Sequence, residues 1–147
     1  MLLLDYRMNI VLDAVRNDGL SLKFAYERLK NYYDFILKAV KKYFYTLEFV
    51  SDRLKDNEEI ILAAVNNNAH GLQYASDRLK DNDEIVLAAV GNIGSALQYA
   101  SNKLKDNYNI VLAAVNNDTH VLRYASDGLR DNYDLSLIHI SEPTRPY

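Results

Sequence analysis

From residue 57 the chain repeats itself every 25 residues: NEEIILAAVNNNAHGLQYASDRLKD at Asn57, NDEIVLAAVGNIGSALQYASNKLKD at Asn82 and NYNIVLAAVNNDTHVLRYASDGLRD at Asn107. The register holds without insertion from Asp5 to Asn132, so Leu12, Leu37, Leu62, Leu87 and Leu112 share one slot. Other slots run from Val15 to Val115, from Leu22 to Leu122 and from Leu29 to Leu129. A strict period of this length means one supersecondary unit copied in tandem, too small to bury its own apolar face, so that neighbours must stack to make a continuous core. Units are expected at about 7–31, 32–56, 57–81, 82–106 and 107–131, with a sixth starting at 132, all in one array over 5–134.

Each unit reads as two short helices. The first is announced by Asp56 and Glu59, and again by Asp81 and Glu84. This is the spacing of a capping box, in which an acidic N-cap accepts from early backbone N–H groups. It runs through EIILAAV and stops at Asn- and Gly-rich turns such as NNNA and GNIG. At about 100° per residue, Ile60, Ile61, Leu62, Ala64 and Val65 fill one arc and the slot of Ala63 lies opposite, which carries Asp13 and Lys38 in the first two units. The leucine slot is therefore expected in the core, with Leu87→Ala costing ~2–5 kcal/mol.

The second helix is expected through LQYASDRLK, with Leu72, Ala75 and Leu79 on its buried stripe. Its aromatic slot, Phe24, Phe49, Tyr74, Tyr99 and Tyr124, points away from that stripe. Packing of each ring against a neighbouring unit is preferred over an exposed rail, because aromatic side chains bring large areas to cores and interfaces. The fold class is all-α: an α-solenoid of about five stacked helical hairpins. A leucine-rich repeat of similar period would need an L-x-x-L-x-L strand signature, and LAAV is strongly helix-forming instead.

Units of the form DNDEIVLAAVGNIGSALQYASNKLK resemble the tandem helical repeats known as domain of unknown function 4116. The paired signatures IVLAAV and LQYAS carry the resemblance over residues 5–134. The first two units depart from it: FILKAVKKYFYTLEFVS has lysines and aromatics where the others have Ala, Asn and Gly. The resemblance implies an array architecture and brings no catalytic or binding residues with it.

Composition narrows function by exclusion. The formal charge of −3, with pI ≈ 5.6, offers no overall basic field for phosphate backbones. The absence of cysteine removes disulfides, thiolate zinc sites and a cysteine nucleophile. Asp5 and Arg7 interrupt the apolar start before a signal-peptide core forms, and no apolar run is long enough to cross a bilayer. An intracellular location is expected, with no membrane partner. The Asn117-Asp118-Thr119 sequon is read as chance.

No catalytic, cofactor or metal constellation emerges. His70 and His120 share a slot two units apart, roughly 20 Å at ~10 Å per stacked layer, too far to share a metal. They are expected as solvated turn residues. Asp52, Asp77 and Asp127 recur beside Arg53 and Arg78, with Lys103 in the same slot as the arginines, which is the pattern of a solvated charged row and not of a convergent acid–base pair. The most distinctive departure is Lys41, Lys42, Tyr43, Phe44 and Tyr45, which fill turn slots held by small polar residues elsewhere. Aromatics beside lysines at an array edge suit anchoring of a partner peptide. The alternative is a longer helix in this unit with its rings packed inside. Nucleic-acid binding would rest only on Lys38, Lys41, Lys42 and these rings, and is not expected.

The chain is thus expected to be a non-catalytic protein-interaction scaffold, a fragment of a longer repeat protein, binding a protein or peptide without a cofactor. The alternative is an accessory segment of a larger enzyme or bacterial effector whose catalytic domain lies elsewhere. The ending LSLIHISEPTRPY breaks the repeat, placing Ser136 and His139 in slots that are otherwise apolar. Back-translated, it resembles a transposon-end sequencing adapter, so 135–147 is expected to be a non-native tail.

Overall fold

The computed structural model describes Asp13 and residues 31–132; the first unit, apart from Asp13 and Asn31, and the anomalous ending fall outside these. Three segments recur in each described unit. The second unit holds helix α1 (Tyr33–Lys42), 3-10 segment η1 (Phe44–Phe49) and one-turn helix α2 (Asp52–Lys55). The third holds α3 (Glu58–Asn67), η2 (Ala69–Tyr74) and α4 (Asp77–Lys80), the fourth α5 (Asp83–Asn92), η3 (Gly94–Tyr99) and α6 (Asn102–Lys105). The fifth holds α7 (Tyr108–Asn117), η4 (Thr119–Tyr124) and α8 (Asp127–Arg130). No strand occurs among the described residues. None of their helices is long and apolar enough to cross a membrane.

The long helices start one residue later than the capping-box spacing suggests. Asn57, Asn82 and Asn107 are the N-caps, their side-chain oxygens accepting from the amides of Ile60, Ile85 and Ile110 at 3.1, 3.1 and 3.2 Å. Asp56 and Asp81 instead close the preceding one-turn helices, and their carboxylates are drawn to the next unit. The helices end at the expected Asn- and Gly-rich turns, but through extended residues and not left-handed ones. Asn68, Ile93 and Asp118 are extended residues whose amides still bond back to Ala64, Ala89 and Ala114, and no described residue has a positive φ.

The expected second helix is broken in two. Ala75 and Ser76 are extended (ψ 154° and 159°), separating η2 from α4. Ser76 caps α4 by accepting from the Leu79 amide. The break is set by the neighbouring unit: extension lets the Ser76 amide donate to the Lys55 carbonyl at 3.0 Å, a bond repeated from Ser101 to Lys80 and from Ser126 to Lys105. A continuous helix would spend that amide internally.

Each long helix packs on the next in chain order, α1 on α3, α3 on α5 and α5 on α7, while η1 to η4 form a second row beneath them. Between the rows lies one core of Ile60, Ile61, Ala64, Val65, Leu72, Ala75, Leu79 and their repeat equivalents. The leucine slot is not part of it. Leu37, Leu62 and Leu112 are half-buried and Leu87 is 42% exposed, against 0–2% for the Ile60, Ile61, Ala64 and Val65 slots of α3, α5 and α7. Those four positions span about 140° of the helix, and Leu62 stands about 60° beyond their edge. The apolar run is one residue wider than the face that the neighbours cover.

Candidate partner-binding edge

Lys41 and Lys42 are the last two residues of α1 and both are exposed. The helix stops where α3, α5 and α7 stop, at ten residues, so the longer-helix alternative does not hold. Tyr43 takes the extended position that breaks the chain away from the helix, and Phe44 and Tyr45 open η1. All three rings are half-buried.

The rings form a cluster with a fourth member. Tyr43 and Tyr45 lie 5.5 Å apart, Phe44 meets Tyr45 edge-on at 5.6 Å, and Phe44 reaches Tyr74 of the next unit at 6.5 Å. These are separations at which ring quadrupoles favour offset and edge-to-face pairs. The Lys42 ammonium sits 5.1 Å above the Tyr43 ring, within cation–π range. Beneath the cluster the buried Thr46 hydroxyl donates to the Tyr43 carbonyl at 2.9 Å, fixing the turn.

The electrostatics are asymmetric. α1 exposes Lys38, Lys41 and Lys42 against Asp34, whereas α3 and α5 open with Glu58, Glu59, Asp83 and Glu84 and carry no lysine or arginine. Tyr33 donates to the Glu59 carboxylate across the α1–α3 contact, and that bond pushes the Tyr33 phenol up to about 12. Burial raises the Tyr74 phenol as well, with Glu48 and Tyr99 adding to it. The edge therefore presents apolar rings with two solvated ammonium groups beside them, a surface suited to an acidic segment with an apolar or aromatic anchor.

Of the aromatic slot, Tyr74 and Tyr99 pack between units as expected, while Phe24 lies outside the described residues. Tyr74 lies against Phe44, Tyr99 meets His70 edge-on at 5.8 Å, and Phe49, Tyr74, Tyr99 and Tyr124 are packed on the core. Over Tyr124, where the preceding unit offers Ser95, the Arg123 guanidinium takes the ring face at 4.8 Å. His70 is consequently half-buried against Tyr99 and not a solvated turn residue, because a tyrosine follows it in the next unit. His120 is exposed and lies 3.1 Å from the Asp118 carboxylate.

The charged row is organised across units. Arg78 donates to the Asp56 carboxylate and carbonyl at 2.9 and 2.8 Å and to Glu58 at 3.2 Å. Arg53 makes the same reach to Asn31, and Lys103 lies 3.6 Å from Asp81. Asp52 and Asp77 are exposed first-turn residues. A cleft of ≈ 430 Å³, open to solvent, lies at Lys105, Arg123, Tyr124 and Arg130. Arg123 there is held by Tyr124 and Arg130 by Asp127. Among the described residues no group of three or more His, Asp or Glu side chains is placed to hold a metal ion.

Two features of the turns between segments are not evident in the sequence pattern. Asn67 grips the turn that carries the cluster, accepting from the Phe44 amide at 3.3 Å and donating to the Lys41 carbonyl at 3.2 Å. Asn117 does the same to Gly94 and Gly91, at 2.8 and 3.4 Å. The recurrence of Asn at 67, 92 and 117 was the available signal. Gly94 is the other: a Cβ there would stand 2.5 Å from the Ala114 carbonyl oxygen. Turn slots that vary between units are thus not all free.

The family described as Domain of unknown function (DUF4116) matches the chain in three stretches, residues 8–55, 57–93 and 82–130, the last two overlapping. No curated protein and no solved structure matches it.

Proposed function

The chain belongs to the family of domain of unknown function 4116, and from that premise we propose that it is a non-catalytic protein-interaction scaffold built as an α-solenoid of about five units. Its partner segment docks on the edge formed by Lys41, Lys42, Tyr43, Phe44 and Tyr45. One observation carries this reading: a half-buried ring cluster flanked by exposed ammonium groups, at a turn where other units place Asn68, Ile93 and Asp118 or His70, Ser95 and His120. Half-exposed aromatics on a rigid frame lose little side-chain freedom on binding, which is why such residues dominate interface energetics. The partner is a protein or peptide with acidic residues beside an apolar anchor.

A displayed random-peptide library selected on the immobilised chain tests this. Enriched acidic sequences with an apolar or aromatic anchor, whose binding is lost with Tyr43→Ser plus Tyr45→Ser while helical circular dichroism is retained, support the reading. Failure to enrich any peptide that depends on this cluster removes it.

A further inference from the structure

The outward face of the long helices is a second surface. In α5 the positions Glu84, Leu87, Ala88 and Gly91 follow the i, i+3, i+4, i+7 pattern of one helix face, Ala88 half-buried and the other three exposed. Leu87 shares its row with Leu37, Leu62 and Leu112, and Ala88 its row with Ala63 and Ala113. Because α1, α3, α5 and α7 pack side by side, these rows run across four helices. We propose that this stripe is the docking site for one amphipathic helix of a partner protein, lying across the long helices, with an apolar residue about every second turn and a basic flank.

Three observations select that occupant. The first is register. Neighbouring packed helices lie about 8–10 Å apart, so successive leucines are spaced close to two turns of an α-helix, about 10.8 Å. A helix with apolar residues at heptad spacing meets all four, and alanine beside each of Leu62, Leu87 and Leu112 lets its backbone approach. Gly91, whose side has nothing within 4 Å, extends that room.

The second is charge. One turn to the N-terminal side of the leucines runs a second row, Asp34, Glu59, Glu84 and Asn109. Glu59 is engaged by Tyr33, whereas Glu84 has no partner among the described residues. Basic residues on the docked helix answer this edge. At the α1 end Lys38 replaces alanine and Lys41 is exposed, so an acidic residue is favoured there and the partner has one direction.

The third is size. Three of the four leucines are half-buried between neighbours, so the stripe uncovers far less than the about 800 Å² per partner of a stable protein interface. That disfavours pairing of two copies and suits one helix held jointly by apolar contact and the acidic edge.

The inference rests on the scaffold reading but uses a different surface, so the two fail separately. The probes are two fluorescein-labelled synthetic helices about three heptads long, with identical leucine spacing and either lysine or glutamate on the flanks. Anisotropy with the full chain is expected to show the lysine helix binding at least about tenfold more tightly than the glutamate helix. Leu62→Ser plus Leu87→Ser should weaken it by about tenfold or more, Glu84→Lys should reduce the charge preference, and Tyr45→Ser should leave it unchanged. Absence of binding, equal binding of both probes, or binding insensitive to the leucine pair overturns the inference, as does loss with Tyr45→Ser. A dimer in sedimentation equilibrium that the leucine pair abolishes would make a second copy the occupant and overturn it too. An edge-selected peptide that still binds in any of these cases leaves the scaffold reading standing.

Discussion

The Ser76 hydroxyl donates to the carboxylate of Asp56, twenty residues earlier and one unit away, and the same pair recurs as Ser101 with Asp81 and Ser126 with Asp106, each at 2.5 Å. Each serine also caps its own one-turn helix through Oγ, and its amide bonds to the carbonyl of the residue preceding that aspartate. One small side chain thereby ends one segment, starts another and ties two units. Hydrogen bonds to a charged acceptor are stronger than those between neutral groups.

Acid should loosen this tie. The Ser76 hydroxyl first, and the Arg78 guanidinium second, hold the Asp56 carboxyl below its ordinary value. A group with a depressed folded pKa contributes stability that is present above its unfolded value, about 4, and is lost as pH falls through the lower folded value. Asp118, lowered chiefly by the His120 amide, acts in the same direction. Thermal melts between pH 7 and 2 should show the wild-type Tm falling below about pH 4, with Asp56→Asn starting lower at pH 7 and falling less. Parallel curves would contradict this.

The two leucine slots should behave oppositely. Leu79 is fully buried, so Leu79→Ala should cost ~2–5 kcal/mol in urea unfolding. Leu87 is 42% exposed, and Leu87→Ala should cost below ~1 kcal/mol. Equal losses would mean that the outward face is covered.

Two glycines separate close approach from simple flexibility. Gly94→Ala drives a methyl against the Ala114 carbonyl, a backbone atom that moves only if the fifth unit shifts, and should cost ~1–3 kcal/mol. Gly91→Ala meets nothing within 4 Å in the last turn of α5 and should gain up to ~1 kcal/mol. Denaturant midpoints of the two variants should fall on opposite sides of wild type.

The asparagine caps should outweigh the acidic ones at the helix starts. Asn82→Ala removes the acceptor for the Ile85 amide and should cost ~1 kcal/mol. Glu84→Gln, in the capping-box position, should change stability by a few tenths of a kcal/mol at most. The ranking is read from calorimetric Tm values, and the reverse order would restore the capping box.

What the sequence determined was what depends on neighbours along the chain. The 25-residue period, the helix-forming runs, the buried stripe of Leu72, Ala75 and Leu79, and the unusual turn at Lys41 to Tyr45 were all legible, since periodicity and composition are local. Tertiary structure decided what depends on the unit 20 to 25 residues away. It split the second helix, because the Ser76 amide is needed by Lys55. It moved the cap to Asn57, because Asp56 is claimed by Ser76 and Arg78. It left Leu87 in solvent, because the adjoining helices and the row beneath cover an arc that ends at Val90. Side chains on an apolar run look alike in sequence; only the position of the next unit selects which of them lose water.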